Sequence, residues 1–428
     1  CLIPRHLLPL KSSRPSVAGS SAPSASAPQR LSLNTGAQDE VAVYDSAASL
    51  PAVWDELLGP EQVFLSRSYL QLFEANPPKG FGFSYLLFYC KGQAAGVAAC
   101  QLIDFRLTEK IQQLQRPDPQ VNWWQRQWHS LMLRLLRPLR FRLLLCGASQ
   151  LTGEQQSSFP GLKPVLAYRL LTEGLEALSR YLTREGWRPQ AVLIKDFYED
   201  RHPSLPGAMQ QEGYHRFPFQ PNMVLDLPED WREFEDYLQA MVSKYRVRAK
   251  RAFKKRKEVE QRVLSLNDIR QYEQRIYELY LEVARSADVS LMELPPEYFV
   301  QLKAQLQEDF TVLGYFKEGE LIGFCTALPN GRELEAHFLG YAEQHNYQHQ
   351  LYLNMLYDIV RLGIERYGSE SVVFARTAME IKSSVGARPV SMGAYMRYRC
   401  SLLNQLLPAA IRAFEPQISW KQRHPFKH

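Results

Sequence analysis

The sequence predicts an α/β (α+β) fold of two similar units. Each is a mixed, mostly antiparallel sheet flanked by helices, and a basic helix joins them. Three observations carry that expectation. At 428 residues the chain is too long for a single core to fill comfortably. Helical and strand periodicities alternate along it, and the order helix–helix–strands–helix–strand occurs twice. Two stretches match in layout, "LLFYCKGQAAGVAACQL" (86–102) and "VLGYFKEGELIGFCTAL" (312–328). Each is an apolar strand, a Lys-containing hairpin and a second strand with a glycine inside.

Residues 1–40 read as a disordered tail, because 11–40 are rich in Ser, Ala, Pro and Gln with few bulky apolar side chains. The first unit is expected over 41–228. "SLPAVWDELL" and "SRSYLQLFEAN" have apolar residues at helical spacing. "GFSYLLFYC" and "AAGVAACQLIDF" follow as paired strands, and a Trp-bearing basic connection leads to the strand "FRLLLCGA". "LAYRLLTEGLEALSRYLTREG" is an amphipathic helix stopping at Gly186, and "QAVLIKDF" and "NMVLDL" are strands. A basic helical connector spans 229–263, with Glu229 and Asp230 near its start and cations later, as the helix dipole prefers. The second unit spans 264–405: two helices, three hairpin-linked strands, a helix closed by Gly368 and the strand "SVVFART". Residues 406–428 form a C-terminal tail.

The composition, 45% hydrophobic and 22% charged, is that of an ordinary globular protein, and the net charge of +6 points to no particular partner. Its distribution is more informative: residues 244–257 hold nine Lys or Arg and no acid. The six cysteines are scattered without a CxxC pair, which suits a reducing compartment and argues against a disulfide framework or a structural metal. His345 and His349 are spaced as helical metal ligands but lack a third partner. No run of about 18 apolar residues is present, so no transmembrane helix is expected. Arg5, His6, Lys11 and Arg14 break any signal-peptide core, and a start at Cys1 fits a truncated reading frame better than a lipid-modified mature terminus. The localisation expected is cytoplasmic, with a peripheral position at the inner membrane face as the variant. No P-loop, dinucleotide fingerprint or Gly-x-Ser-x-Gly elbow occurs, which sets aside ATPases, Rossmann enzymes and serine hydrolases.

Four stretches carry chemistry. In "RELEAHFLGY" strand alternation puts Glu333, Glu335 and His337 on one face, opposite Leu334, Ala336 and Phe338. Acyl transfer to an amine needs a base, and Glu335 or His337 is the candidate, against the plainer reading of a solvated polar face. The basic run, represented by Lys244, Arg246, Arg248, Lys250 and Arg251, wraps a helix and is suited to phosphates: a tRNA backbone, an anionic lipid or a lipid pyrophosphate. Residues 122–146, with Trp123, Trp124 and Trp128 before a Leu- and Arg-rich stretch, suit peripheral contact with an anionic membrane. Finally "EIKSSVGARP" follows an apolar strand, and Lys382 with Arg388 can clamp a phosphate or carboxylate beside Arg376. Tyr341 and Asn354 complete the candidate substrate-binding set.

The order of elements over about 41–405 resembles the GNAT acyltransferase fold, present twice. "FPFQPNMVLDL" with "YLQAMVSKYRVRAKRAFKK", and "EIKSSVGARP", are similar to short stretches of Fem-type peptidoglycan aminoacyl transferases and their acetyltransferase-like relatives. The resemblance implies amide formation on an amine-bearing acceptor, such as a cell-wall or lipid-linked precursor. The donor it implies is an aminoacyl-tRNA or an acyl-CoA, with no metal. One departure concerns the donor: ordinary acetyl-CoA members carry a Gly-rich pyrophosphate loop where this chain reads "YAEQHNYQHQLYLN". That departure favours the aminoacyl-tRNA branch. It leaves two alternatives: an acyl-CoA-dependent N-acetyltransferase with a non-standard loop, and a non-catalytic pair used for binding.

Overall fold

The computed structural model describes residues 27–36, 38–78, 80–106, 140–286, 293–414 and 420–427. Chain order begins with β1 (Gln29–Ser32), β2 (Glu40–Tyr44), α1 (Val53–Glu56), α2 (Arg67–Ala75), β3 (Phe81–Cys90), β4 (Gln93–Arg106), β5 (Arg140–Cys146) and β6 (Ser157–Ser158). It continues with α3 (Pro164–Arg184), β7 (Ala191–Tyr198), α4 (Leu205–Gln211), β8 (His215–Pro218), β9 (Asn222–Asp226), α5 (Phe234–Ala240) and α6 (Ser243–Lys255). Then come β10 (Glu260–Val263), α7 (Leu266–Gln271), α8 (Glu273–Ser286), α9 (Tyr298–Leu306), β11 (Thr311–Lys317), β12 (Glu320–Asn330) and β13 (Glu333–Tyr341). The chain closes with α10 (Glu343–His349), α11 (Leu351–Arg361), β14 (Ser371–Val373), α12 (Met379–Ser384), β15 (Arg388–Val390), β16 (Met392–Tyr398) and α13 (Ser401–Phe414).

Two mixed sheets flanked by helices result, as the sequence predicts. Among the described residues one has nine strands, ordered β1-β2-β3-β4-β5-β7-β16-β8 with β6 beside β4; the other has seven, ordered β10-β11-β12-β13-β14-β9-β15. Each contains one parallel pair, β5 with β7 and β13 with β14, in an otherwise antiparallel ladder. The replayed hairpins also share their turn. Two-residue loops link β3 to β4 and β11 to β12, with left-handed φ at Lys91 (52°) and Gly92 (79°), and at Glu318 (52°) and Gly319 (84°). That is the primed geometry a right-handed strand twist demands.

The sheets do not follow the linear division at 228 and 264. β9 lies in the second sheet, between β14 and β15, and β16 lies in the first, between β7 and β8. Each unit lends the other one strand. The physical reason is burial: Asn222 to Leu225 are buried, and β9 pairs on both sides. A second correction concerns the tail, because 29–32 form β1 against β2, with the adjoining Leu33 buried. Residues 1–26 lie outside the described residues, as does 107–139, which holds most of the 122–146 stretch. No described helix is long and apolar enough to cross a membrane.

In the first sheet the α3 face buries Leu170, Leu171, Leu175 and Leu178 with Leu86, Leu144 and Ile194. The second sheet is covered on one face by α11, through Leu353, Leu356 and Val360. On the other face α8 and α9 contribute Leu279, Tyr280, Phe299 and Leu302. Phe64, Tyr69 and Phe73 of the first unit join this last core, so the two units share buried surface.

Candidate active site

β13 builds the site, and a bulge shapes it. Ala336 pairs with Ala327 and Leu339 with Cys325, so β13 carries one residue more than β12 over this interval. Thr326 Oγ1 fills the gap, accepting from the Phe338 N–H at 2.8 Å and donating to the Phe338 carbonyl at 2.9 Å. The predicted alternation therefore holds only to Ala336. Leu334 faces the α11 core as expected, but Phe338 turns to the α8–α9 side and packs on Tyr280 and Phe299, as His337 also does on its own aromatic neighbours. Bulges of this kind re-aim side chains beside functional sites.

Glu335 is 7% exposed, and its nearest described hydrogen-bond partner is Asn330 Nδ2 at 3.5 Å. Burial, reinforced by the charge of Glu333, pushes its carboxyl up to about 8, against a smaller opposing pull from Asn330. Asn330 is itself fixed by the first unit, since the Val63 N–H donates to its Oδ1 at 3.1 Å. From the first sheet Tyr198 approaches. Burial, then the nearby Glu335 and Glu333, raise its hydroxyl well above the usual range, so it stays protonated. Asn222 Nδ2 donates to the Tyr198 hydroxyl at 2.7 Å, while its Oδ1 is buried without a partner in the structure. Arg201 closes the seam, pairing with Glu333 at 3.0 Å and lying 3.8 Å from Glu154. The seam thus brings together a buried carboxyl, a held phenol and the Arg201–Glu333 ion pair from both units.

His337 has a different setting. Its Nε2 meets the Tyr298 hydroxyl at 2.6 Å, Tyr298 meets Tyr69 at 3.0 Å, and Phe64 stacks on the ring at 5.5 Å. Burial drops its pKa to about 3, so the imidazole is neutral at any physiological pH. Tyr341 sits against Tyr352, 6.0 Å between ring centroids.

The proposed clamp is not assembled. Lys382 is 5% exposed and points inward, its ammonium donating to the Ala375 carbonyl at 3.2 Å and the Arg376 carbonyl at 2.6 Å. Burial lowers its pKa to about 7. Arg388 forks onto Asp226 across β9 and β15, at 2.6 and 3.1 Å. Arg376 bonds the buried Asp196, which also holds Lys195, and lies 4.7 Å over the Phe219 ring. All three cations are engaged by the protein itself. Asn354 is likewise buried, its amide donating to the carbonyls of Ala252, His349 and Gln350 at 3.0–3.1 Å.

The start of α11 matters for the donor. The carbonyls of Ala252 and Lys255 close α6 against the start of α11, with His349 Nδ1 3.1 Å from the Lys255 oxygen. Asn346 Oδ1 accepts from the Tyr352 N–H at 3.1 Å. Of the N–H groups at this helix start, which ordinarily attract a phosphate, the one on Tyr352 is therefore already taken by a side-chain amide. α6 also differs from the predicted all-round cation distribution. Ala249 and Ala252 are buried and Arg256 pairs with the buried Asp358, whereas Lys244, Arg248, Arg251 and Lys255 form one exposed stripe; Lys250 is exposed farther round the helix and Arg246 is half-buried. The seam residues Tyr198, Asn222 and Arg201 escape sequence reasoning, because strand exchange alone brings them to Glu335.

No family model matches the chain, and no curated protein does. Among solved structures it is similar to FemX at 11% identity, covering 77% of this chain and 90% of that one with a TM-score of 0.45. A tandem GNAT protein from the clavulanic acid biosynthesis pathway is 13% identical over 78% of this chain and 86% of its own, with a TM-score of 0.43. A domain of a lysylphosphatidylglycerol synthetase from Agrobacterium fabrum is 11% identical over 63% of this chain and 81% of its own, with a TM-score of 0.38. FemX and a tandem GNAT protein are thus among the solved structures the chain is similar to.

Proposed function

We propose that this protein transfers an acyl or aminoacyl group to an amine acceptor, with Glu335 as general base. The observation that carries the reading is a buried carboxyl, raised to about 8, at a strand bulge lined by both units. The acceptor nitrogen attacks the acyl carbonyl, a C–N bond forms, and the ester or thioester bond to the donor breaks. Glu335 takes the proton released from nitrogen and passes it to the departing oxygen or sulfur, which leaves as the free hydroxyl or thiol. A base poised near the working pH serves this step best, and His337, at about 3, is poorly matched to it. The protonated Tyr198 hydroxyl supplies a hydrogen-bond donor beside the same centre.

The Tyr352 N–H already held by Asn346, and the absence of glycine from "YAEQHNYQHQLYLN", support a donor that does not seat a pyrophosphate there, and so support aminoacyl-tRNA over acyl-CoA. The exposed stripe of α6 offers such a donor a row of cations at the spacing of successive helical turns. A lipid-linked or cell-wall acceptor belongs to the same proposal. The test is a donor screen of acyl-CoAs against charged tRNAs, followed by Glu335→Gln with the productive donor. The variant should lose about 100-fold or more in kcat/KM, and the wild-type rise in rate near pH 8 should vanish with it. Full turnover in Glu335→Gln would exclude Glu335 as the base.

A further inference from the structure

One end of the first unit gathers features that the acyl-transfer site does not use. α13 starts three residues after β16 ends, and its first two turns expose Leu402 (65%), Leu403 (49%) and Leu406 (55%). On a helix these positions fall on one side, while Leu407 and Asn404 face the protein. Folding normally buries such a stripe, and three large aliphatic side chains on one short surface mark a contact.

The surroundings say what kind. Arg399 lies just before the helix, its guanidinium donating to Thr183 Oγ1 at 2.6 Å, which ties it to the last turn of α3. That turn exposes Arg184, and Arg188 follows beyond the half-buried Trp187. Arg142 lies 5.9 Å over the Trp187 ring and donates to the Gly186 carbonyl at 3.1 Å. The described carboxylates at this end include Asp104, paired with Arg142 at 3.2 Å, Glu176, ion-paired with Arg397 and 3.5 Å from Arg180, the exposed Glu185, and Glu212, whose carbonyl accepts from Arg397. An arginine rim with a tryptophan therefore surrounds three exposed leucines. The register partners Arg106 and Arg140 close the β4–β5 ladder, and the Phe141 ring is 5.9 Å from that of Tyr398.

We infer that this end, centred on Leu402, Leu403 and Leu406, docks on an anionic lipid bilayer surface. Leucines on a helix face enter the acyl boundary, tryptophan prefers the headgroup level, and arginines pair with lipid phosphates. A protein partner would cover the leucines without needing the exposed Arg184 and Arg188 beside them, and a nucleic acid would need the cations without the leucines.

The full chain is tested by co-sedimentation with vesicles of phosphatidylcholine and phosphatidylglycerol at about 2:1, beside vesicles of phosphatidylcholine alone. Binding to the anionic vesicles is expected, weakened by salt, with little binding to the neutral ones. Leu402→Glu with Leu406→Glu should reduce the bound fraction about tenfold or more, while circular dichroism and the unfolding midpoint stay as in wild type. Arg184→Glu with Arg188→Glu should act in the same direction. Absence of binding, or binding unchanged by the leucine pair, overturns the inference. So does a wild-type dimer in light scattering that the leucine pair converts to monomer, because the stripe would then serve a second copy of the chain. None of these outcomes depends on Glu335 or on the donor.

Discussion

Lys382 and Glu335 are two buried ionisable residues with opposite leanings, and they set opposite pH slopes of stability. Glu335 is raised from 4.5 to about 8, so the folded protein keeps a proton that the unfolded chain has lost. Its contribution is present below the unfolded value and fades as pH climbs through that window. Lys382 is lowered from 10.5 to about 7, so its contribution is full above the unfolded value and is lost as pH falls from there to about 7. Denaturant titrations should show Glu335→Gln losing the decline between pH 5 and 8, and Lys382→Met losing the rise above pH 7. Unchanged slopes would contradict these burials. Lys382→Met should also loosen its loop, where Ala375 (φ 58°), Thr377 (φ 69°) and Ala378 (φ 45°) all hold left-handed backbone. Such residues cost about 1–3 kcal/mol each and need outside support. The stretch around Lys382 is legible in sequence as a polar element after a strand. Its inward direction is not, because a helix of six residues has too little periodicity to say which side faces the core. The Arg388–Asp226 fork spans 162 residues and leaves no local trace.

At the scale of elements, the bulge in β13 is the decisive irregularity. Thr326 satisfies both backbone groups of Phe338, so Thr326→Val should cost about 1–3 kcal/mol, read as a lower urea midpoint, with Thr326→Ser retaining most of the stability. An unchanged midpoint in the valine variant would mean that the hydroxyl is dispensable. Period-two reading places Leu334 and Glu335 correctly and fails at Phe338, because an inserted residue resets the alternation without changing composition. The same limit applies to α6. Nine cations in fourteen positions leave no apolar gap for a wheel to find, and the inward face is identified only by Ala249 and Ala252 packing below it. Strands and their hairpin turns were the most legible elements, since Lys91-Gly92 and Glu318-Gly319 announce their own φ values.

For the whole molecule, the exchange of β9 and β16 makes the two sheets mutually dependent. Produced alone, residues 27–228 would lack β16, leaving the facing edges of β7 and β8 unpaired, and would carry β9 with no partner on either side. We expect that fragment to aggregate, and the intact chain to unfold in one cooperative urea transition by both fluorescence and circular dichroism. Two separated transitions would show that the units are independent. The duplication itself was visible from the repeated element order. Which sheet each short strand joins was not, because an apolar run of five residues specifies burial and leaves the partner open.

The reciprocal strands also carry a consequence in time. A ribosome releases β7 and β8 long before it reaches Met392–Tyr398, at rates of about 5–20 residues per second. For on the order of ten seconds the nascent first sheet has no β16 and exposes two strand edges to the crowded exit region. Completion of the first sheet therefore awaits a strand that follows every strand of the second. A chain that stops before Arg388 would leave both sheets unfinished, so neither half matures ahead of the other.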